Sequence, residues 1–168
     1  MFSEIPFEEW RLSPYELFTD RRLLLTAHGE YGRNTMTVGW GGFGVMWGEA
    51  IAMFAVRPTR YTFGLLEKGS AVTLSALPPS YAKAVSFCGA HSGREGDKLS
   101  DAGLTYTELP DGALGIGEAE LVICGEVCCS HSLLPHELRA PALIAKWYGN
   151  GDFHTLYYAR ISKVYNSH

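Results

Sequence analysis

Two arginines stand where an apolar run ends, in Phe54-Ala55-Val56-Arg57-Pro58-Thr59-Arg60-Tyr61-Thr62. The run reads as the end of a buried strand, and Tyr61 to Lys68 reads as a helix closed by Gly69. A helix N-terminus presents free N–H groups and partial positive charge. Arg57, Arg60, Tyr61 and Thr62 add cationic forks and hydroxyl donors to it, which is the chemistry of a phosphate or carboxylate site. The bland alternative pairs both arginines with Glu67 or other surface acids. A second polar cluster, His91-Ser92-Gly93-Arg94-Glu95-Gly96-Asp97-Lys98, carries two more cations in a glycine-containing loop. Such loops can turn consecutive N–H groups toward an anion; the alternative is a solvated surface loop.

Other patterns are weaker. Gly39-Trp40-Gly41-Gly42-Phe43-Gly44 spells G-x-G-x-x-G, but the dinucleotide reading needs a helix after it and an acid about 20 positions on. A strand follows instead, and an arginine stands near position 60, so that reading is rejected. A flexible glycine loop between two strands is expected, or a backbone that must come close to something. The sequence has no G-x-S-x-G, no P-loop and no H-E-x-x-H. His154 reads equally as a pocket residue or a hydrogen-bonded structural histidine. Met36, Trp40, Met46 and Trp47 form an aromatic and thioether-rich region, either core or a surface for a flat ring system. Cys88, Cys124, Cys128 and Cys129 lack zinc-ligand spacing, so reduced, packed thiols and no metal are expected.

These residues need elements to position them. Ser13-Pro14-Tyr15-Glu16 is a capping box that opens a short helix to about Thr19. Leu23 to Ala27, Asn34 to Val38, residues 50 to 56 and Ala71 to Leu77 read as strands, with a turn over His28 to Arg33. Ser80 to Cys88 reads as a helix stopped by Gly89, and Asp97 to Ala102 as a helical turn ending at Gly103. Leu114 to Leu121 and Val122 to Ser130 are β-rich, with Gly125 as a bulge or bend. Pro141 to Tyr148 reads as a helix, and Phe153 to Val164 as a long last strand. Strands dominate, with short helices between them. The pattern points to a mainly β fold, an antiparallel barrel with helical excursions.

The chain has 168 residues, 46% hydrophobic and 19% charged, which fits one domain spanning 1–168. Its net charge of −4 argues against broad nucleic-acid binding. No apolar stretch reaches the ~18 residues of a membrane span, and the acidic start MFSEIPFEEW is no signal peptide. A cytoplasmic protein, off the membrane, is expected.

The ordered blocks resemble a known family. They are Asn34-Thr35-Met36-Thr37-Val38-Gly39-Trp40-Gly41, Arg57 to Thr62, Thr73-Leu74-Ser75, Phe87-Cys88-Gly89-Ala90-His91-Ser92-Gly93-Arg94 with Asp97-Lys98, and Gly151-Asp152-Phe153-His154. Together they resemble the flavin reductase-like, FMN-binding split-barrel proteins, the flavoredoxin group, over roughly residues 15 to 165. The resemblance implies a Greek-key type split β-barrel, FMN as cofactor and a homodimer with the flavin near the interface. It implies that Arg57, Arg60, Tyr61 and Thr62 hold the phosphate or ribityl chain, completed by Ser92, Gly93, Arg94 and Lys98. Asn34, Thr35, Met36, Thr37, Val38 and Trp40 would line the ring, with Ser75, Cys88 and Gly89 close by. The implied activity is that of an FMN-dependent oxidoreductase, which reduces flavin with NADH or NADPH or passes electrons to a partner. The flavin carries such chemistry, so no protein nucleophile is required. The other readings are an FMN-binding module or redox sensor without nicotinamide turnover, and a β-barrel interaction protein without cofactor.

Overall fold

The computed structural model describes residues 1–6, 9–11, 13–69 and 71–167. Its frame is an antiparallel sheet. Strands β2 (Leu23–Gly29) and β3 (Gly32–Val38) form a hairpin turning at Glu30–Tyr31, tighter than the sequence suggests. Strands β4 (Gly41–Met46) and β5 (Glu49–Val56) form a second, over Trp47–Gly48. Both of these loop residues have positive φ, +56° and +76°, as a type I′ turn requires. With β1 (Phe2–Glu4), β6 (Ala71–Ala76), β9 (Leu121–Ser132) and β10 (Thr155–Ser167), the order is β3-β2-β6-β9-β10-β5-β4, and β1 pairs with β10. A separate small hairpin joins β7 (Tyr106–Glu108) to β8 (Leu114–Ile116).

Alternation along β2 buries both of its faces. Leu23, Leu25 and Ala27 join Phe54, Leu74 and Tyr157 in one apolar cluster. Leu24 joins Val85, Cys88, Leu99, Ile116 and Val122 in another. The second cluster is covered by α3 (Ala82–Ala90) and α4 (Lys98–Asp101), with β8 beside them. The other helices are α1 (Pro14–Glu16), α2 (Tyr61–Leu66) and α5 (Pro141–Trp147). Ser13 caps α1, accepting from the Glu16 N–H at 3.3 Å, and the chain then widens into a π turn over Leu17–Arg21.

The mainly β, antiparallel class expected from the sequence is what forms, but the barrel does not close. The sheet path ends at β3 and at β4, and these two are not paired. The chain crosses the seam at Gly39–Trp40, and Phe18 of the π turn packs against Gly41 and Phe43 at one end of it. A Cβ on Gly41 would sit 2.5 Å from the Phe18 ring and 2.3 Å from the Met53 carbonyl. The glycines from Gly41 onward therefore lie in a strand, not a flexible loop, and Gly41 permits the close approach.

Three further expectations change. Gly89 does not stop α3, which continues to Ala90. It lets the helix lie on β3, since a Cβ there would stand 3.2 Å from Thr37 Cβ. Met46 and Trp47 belong to the exposed tip of the β4–β5 hairpin, away from Met36 and Trp40. Gly125 sits opposite a bulge in β10, between Ile161 and Lys163, and a second irregularity falls at Cys128.

Candidate functional site

Two adjoining hollows open beside β3. The larger, about 710 Å³, is walled by Met36 to Trp40, by Ser86, Gly89 and Ala90 of α3, and by Phe18, Thr19 and Arg22 of the π turn. Trp147 and His154 cover it from the α5–β10 side. The smaller, about 180 Å³, lies between Asn34, the start of α2 and the 91–98 loop. Met36, Arg60 and Ala90 line both, so the two hollows adjoin.

The smaller hollow is a cradle of donors. Arg60, Arg94 and Lys98 line it against one acid, Glu95, leaving an excess of positive charge. Lys98 is 7% exposed, and its Nζ donates to the carbonyls of Cys88 and His91, each at 3.0 Å. An ammonium has three donors, so one remains for a ligand. Burial pulls the Lys98 pKa down, with the Arg60 charge adding to the effect. Arg94 lies over the Tyr61 ring at 5.2 Å and donates to the Thr59 carbonyl at 3.3 Å. Asn34 donates through Nδ2 to the buried Thr62 hydroxyl at 2.8 Å. Gly93 closes the cradle, since a Cβ there would sit 2.0 Å from Asn34 Oδ1 and 3.1 Å from the Tyr61 ring. The backbone is thus brought flush against the hollow, as a tightly held anion demands.

The larger hollow is aromatic and partly apolar. Trp40 meets Trp147 edge-on at 5.0 Å and lies 4.5 Å from the His154 ring. His154 is both things the sequence allowed. It lines the hollow, and its Nδ1 shares a 2.9 Å hydrogen bond with the Tyr148 hydroxyl. Burial first, then the charges of Arg57 and Arg60, push its pKa down to about 4 against the pull of Asp152, so the ring is neutral near pH 7. Arg57 lines this hollow, not the cradle. It donates to the carbonyls of Asp152 and, at 2.9 Å, Trp147, and lies 3.6 Å from the Asp152 carboxylate.

The structure brings together most of the residues singled out from sequence. Asn34, Met36, Arg60, Tyr61, Thr62, Ser92, Gly93, Arg94 and Lys98 line the cradle. Met36, Thr37, Val38, Trp40, Arg57, Arg60 and Gly89 line the larger hollow. Three others line neither. Thr35 bonds Thr26 at 2.8 Å and the Tyr106 hydroxyl at 3.2 Å. Ser75 is fully buried on β6, two strands in from β3. Cys88 is 1% exposed in the second core cluster. Phe18, Thr19, Arg22, Ala55, Ser86 and Ala90 also line the larger hollow and were not expected there. Only Arg22 carries a chemical signal, and no local pattern tied it to the site. Among the described residues no cluster of ligand side chains could hold a metal ion, and no helix is long and apolar enough to cross a membrane.

An open antiparallel sheet with a cation-lined hollow beside an aromatic one is consistent with a flavin-binding fold. The family model of the flavin reductase like domain matches residues 16–166, and the chain belongs to that family. Among solved structures it is similar to an FMN-binding protein of Thermus thermophilus with bound p-hydroxybenzaldehyde, at 20% identity and TM-score 0.69, covering 98% of this chain and 79% of that one. It is similar to flavoredoxin of Desulfovibrio vulgaris, at 20% identity and TM-score 0.66, covering 87% and 69%. It is also similar to an NADH:FAD oxidoreductase of Streptomyces globisporus in complex with NAD and FAD fragments, at 15% identity and TM-score 0.63, covering 87% and 74%. No curated protein matches the sequence.

Proposed function

We propose that this chain is an FMN-binding oxidoreductase that takes electrons from NADH or NADPH and passes them to free flavin or to a partner protein. The observation that carries the reading is the cradle. Three cations and a flush glycine backbone surround a space of about 180 Å³ that adjoins a ring-sized cleft. That donor set fits a phosphate monoester, and the cleft beyond it fits a flat ring. Arg60, Arg94 and Lys98 would hold the phosphate, with Ser92, Gly93, Tyr61 and Thr62 beside them. Asn34 keeps the Thr62 hydroxyl oriented. Met36, Val38 and Trp40 would flank the ring, while Trp147 and His154 keep bulk water from one side of the cleft. A bound flavin supplies hydride and one-electron chemistry.

We extend the reading to the assembly. Helix α5 has no buried residue and exposes Leu143 and Trp147, while the β4–β5 tip exposes Val45, Met46 and Trp47. A homodimer that covers such surfaces, with α5 beside the cleft and the β4–β5 tip away from it, follows from this reading. The whole of 1–168 then acts as one domain. Its four free thiols fit a reducing, cytoplasmic setting.

The test is a visible spectrum of the protein with FMN, before and after anaerobic NADH and then NADPH. Flavin bands that bleach support the reductase and name its donor. Bands that persist overturn nicotinamide-driven turnover, and an FMN-binding module then remains. Absence of binding overturns the flavin reading.

A further inference from the structure

Helix α5 has no buried residue, yet its C-terminal end and the turn after it roof the larger hollow with Trp147 and His154. Within one protomer, something other than a packed apolar face must hold it there. The ring contacts of Trp147 with Trp40, and of Tyr148 with Phe153 at 4.4 Å, account for part. The rest comes from β5 and the turn after it. Arg57 bridges two carbonyls, Trp147 at the end of α5 and Asp152 five residues on, and its guanidinium lies 5.3 Å from the Tyr148 ring centre. The Trp147 carbonyl is one of those a helix end leaves without an intrahelical partner, and a cationic fork satisfies it. Asp152 is fixed again by the Thr59 hydroxyl at 3.0 Å, two residues past Arg57. One short stretch, Arg57 to Thr59, thus grips both ends of the 147–152 turn.

We propose that Arg57 is a positioning residue, a latch that holds the 147–154 segment as the roof of the ring cleft, and that it does not ligate the phosphate. The inference rests on the proposal that the cleft takes a flavin. It separates the two arginines that the sequence presents as a pair. Arg60 donates to the Gly89 carbonyl at 3.1 Å and reaches the cradle, while Arg57 does not line the cradle and gives two of its five N–H donors to the carbonyls of the 147–152 turn. A latch and a phosphate ligand predict different chemistry. Loss of a phosphate ligand weakens FMN but spares riboflavin, which has no phosphate. Loss of the roof weakens both by the same factor. Lysine keeps the charge but not the planar fork, so it would restore much of a phosphate contact and little of a two-carbonyl bridge.

The experiment compares wild type, Arg57→Ala, Arg57→Lys, Asp152→Ala and Arg60→Ala. Each is titrated with FMN and with riboflavin. Acrylamide quenching of tryptophan in the ligand-free proteins, with and without Trp147→Phe, reports the roof directly. The latch predicts that both Arg57 variants raise the two dissociation constants together, by about tenfold. Asp152→Ala follows in the same direction, and quenching increases most where Trp147 is present, with a smaller rise from Trp40 in the Trp147→Phe background. Arg60→Ala raises the constant for FMN alone. Selective loss of FMN binding in Arg57→Ala, restored by lysine, would overturn the latch. So would unchanged quenching in every Arg57 variant. If wild type takes up neither flavin, the flavin reading fails, and the Trp147-dependent quenching alone decides the latch.

Discussion

Single atoms decide the cradle. Arg60 is the cation shared by both hollows. Arg60→Ala removes a charge-assisted hydrogen bond of about 1.5–3 kcal/mol, so FMN affinity should fall about 10- to 150-fold in a fluorescence titration. Gly93→Ala places a Cβ 2.0 Å from Asn34 Oδ1, which forces the loop or the asparagine aside. It should cost FMN about tenfold or more and also lower the melting temperature, since Asn34 is buried and holds the buried Thr62 hydroxyl. His154 gives a pH signature. Its folded pKa of about 4 lies below the ordinary 6.5, so between these values the unfolded chain binds the extra proton. Its contribution to stability is therefore whole above about pH 6.5 and is lost progressively toward pH 4. Arg57 and Arg60 deepen the effect and Asp152 opposes it. Urea unfolding at pH 7 and pH 5 should show a smaller loss in His154→Gln than in wild type.

At the scale of elements, two helical glycines have opposite reasons. Gly64 in α2 has nothing within 4 Å of an added Cβ, whereas Gly89 in α3 meets Thr37 at 3.2 Å. Gly64→Ala should raise stability by about 0.5–1 kcal/mol through helix propensity. Gly89→Ala should lose that gain to overpacking of about 1–3 kcal/mol and push α3 off β3. Thermal melts of the two variants should move in opposite directions. The same elements show what was legible beforehand. The Arg60-Tyr61-Thr62 and Ser92-Gly93-Arg94 blocks were readable because each carries its own donors within a few residues. Thr35 reads alike and shares a face of β3 with Thr37, but its hydroxyl is taken up by Thr26 and Tyr106, one step further along the strand. Ser75 lies two strands in from β3, about 10 Å at the usual strand spacing, too deep to reach the cleft. Gly89 looked like a stop signal, and only the packing partner reveals it as a contact. Ala55 and Ala90 have no chemistry to advertise, and the Ser86 hydroxyl sits in no pattern that ties it to the site.

For the molecule as a whole, the unpaired edges of β3 and β4 leave the seam open beside the larger hollow. Closure of β3 on β4 would satisfy two strand edges but would fill the space that the cleft needs. Instead the π turn wedges Phe18 into one end of the seam, where Phe43 lies 5.5 Å from its ring. The class of fold was readable from strand-rich segments broken by short helices. The π turn was not, because a capping box fixes where a helix starts and not where the chain goes next. The dimer proposed above places α5 and the β4–β5 tip against a second copy, so FMN should raise the association constant if it binds near that interface. Sedimentation at several concentrations, with and without FMN, checks this linkage.

The most direct measurement is an equilibrium titration of the wild-type protein with FMN and, in parallel, with riboflavin. The cradle and cleft together predict that both bind and that FMN binds at least about tenfold tighter, since only FMN brings a phosphate to Arg60, Arg94 and Lys98. Equal affinities would remove the cradle from the account, and no binding of either would contradict it outright.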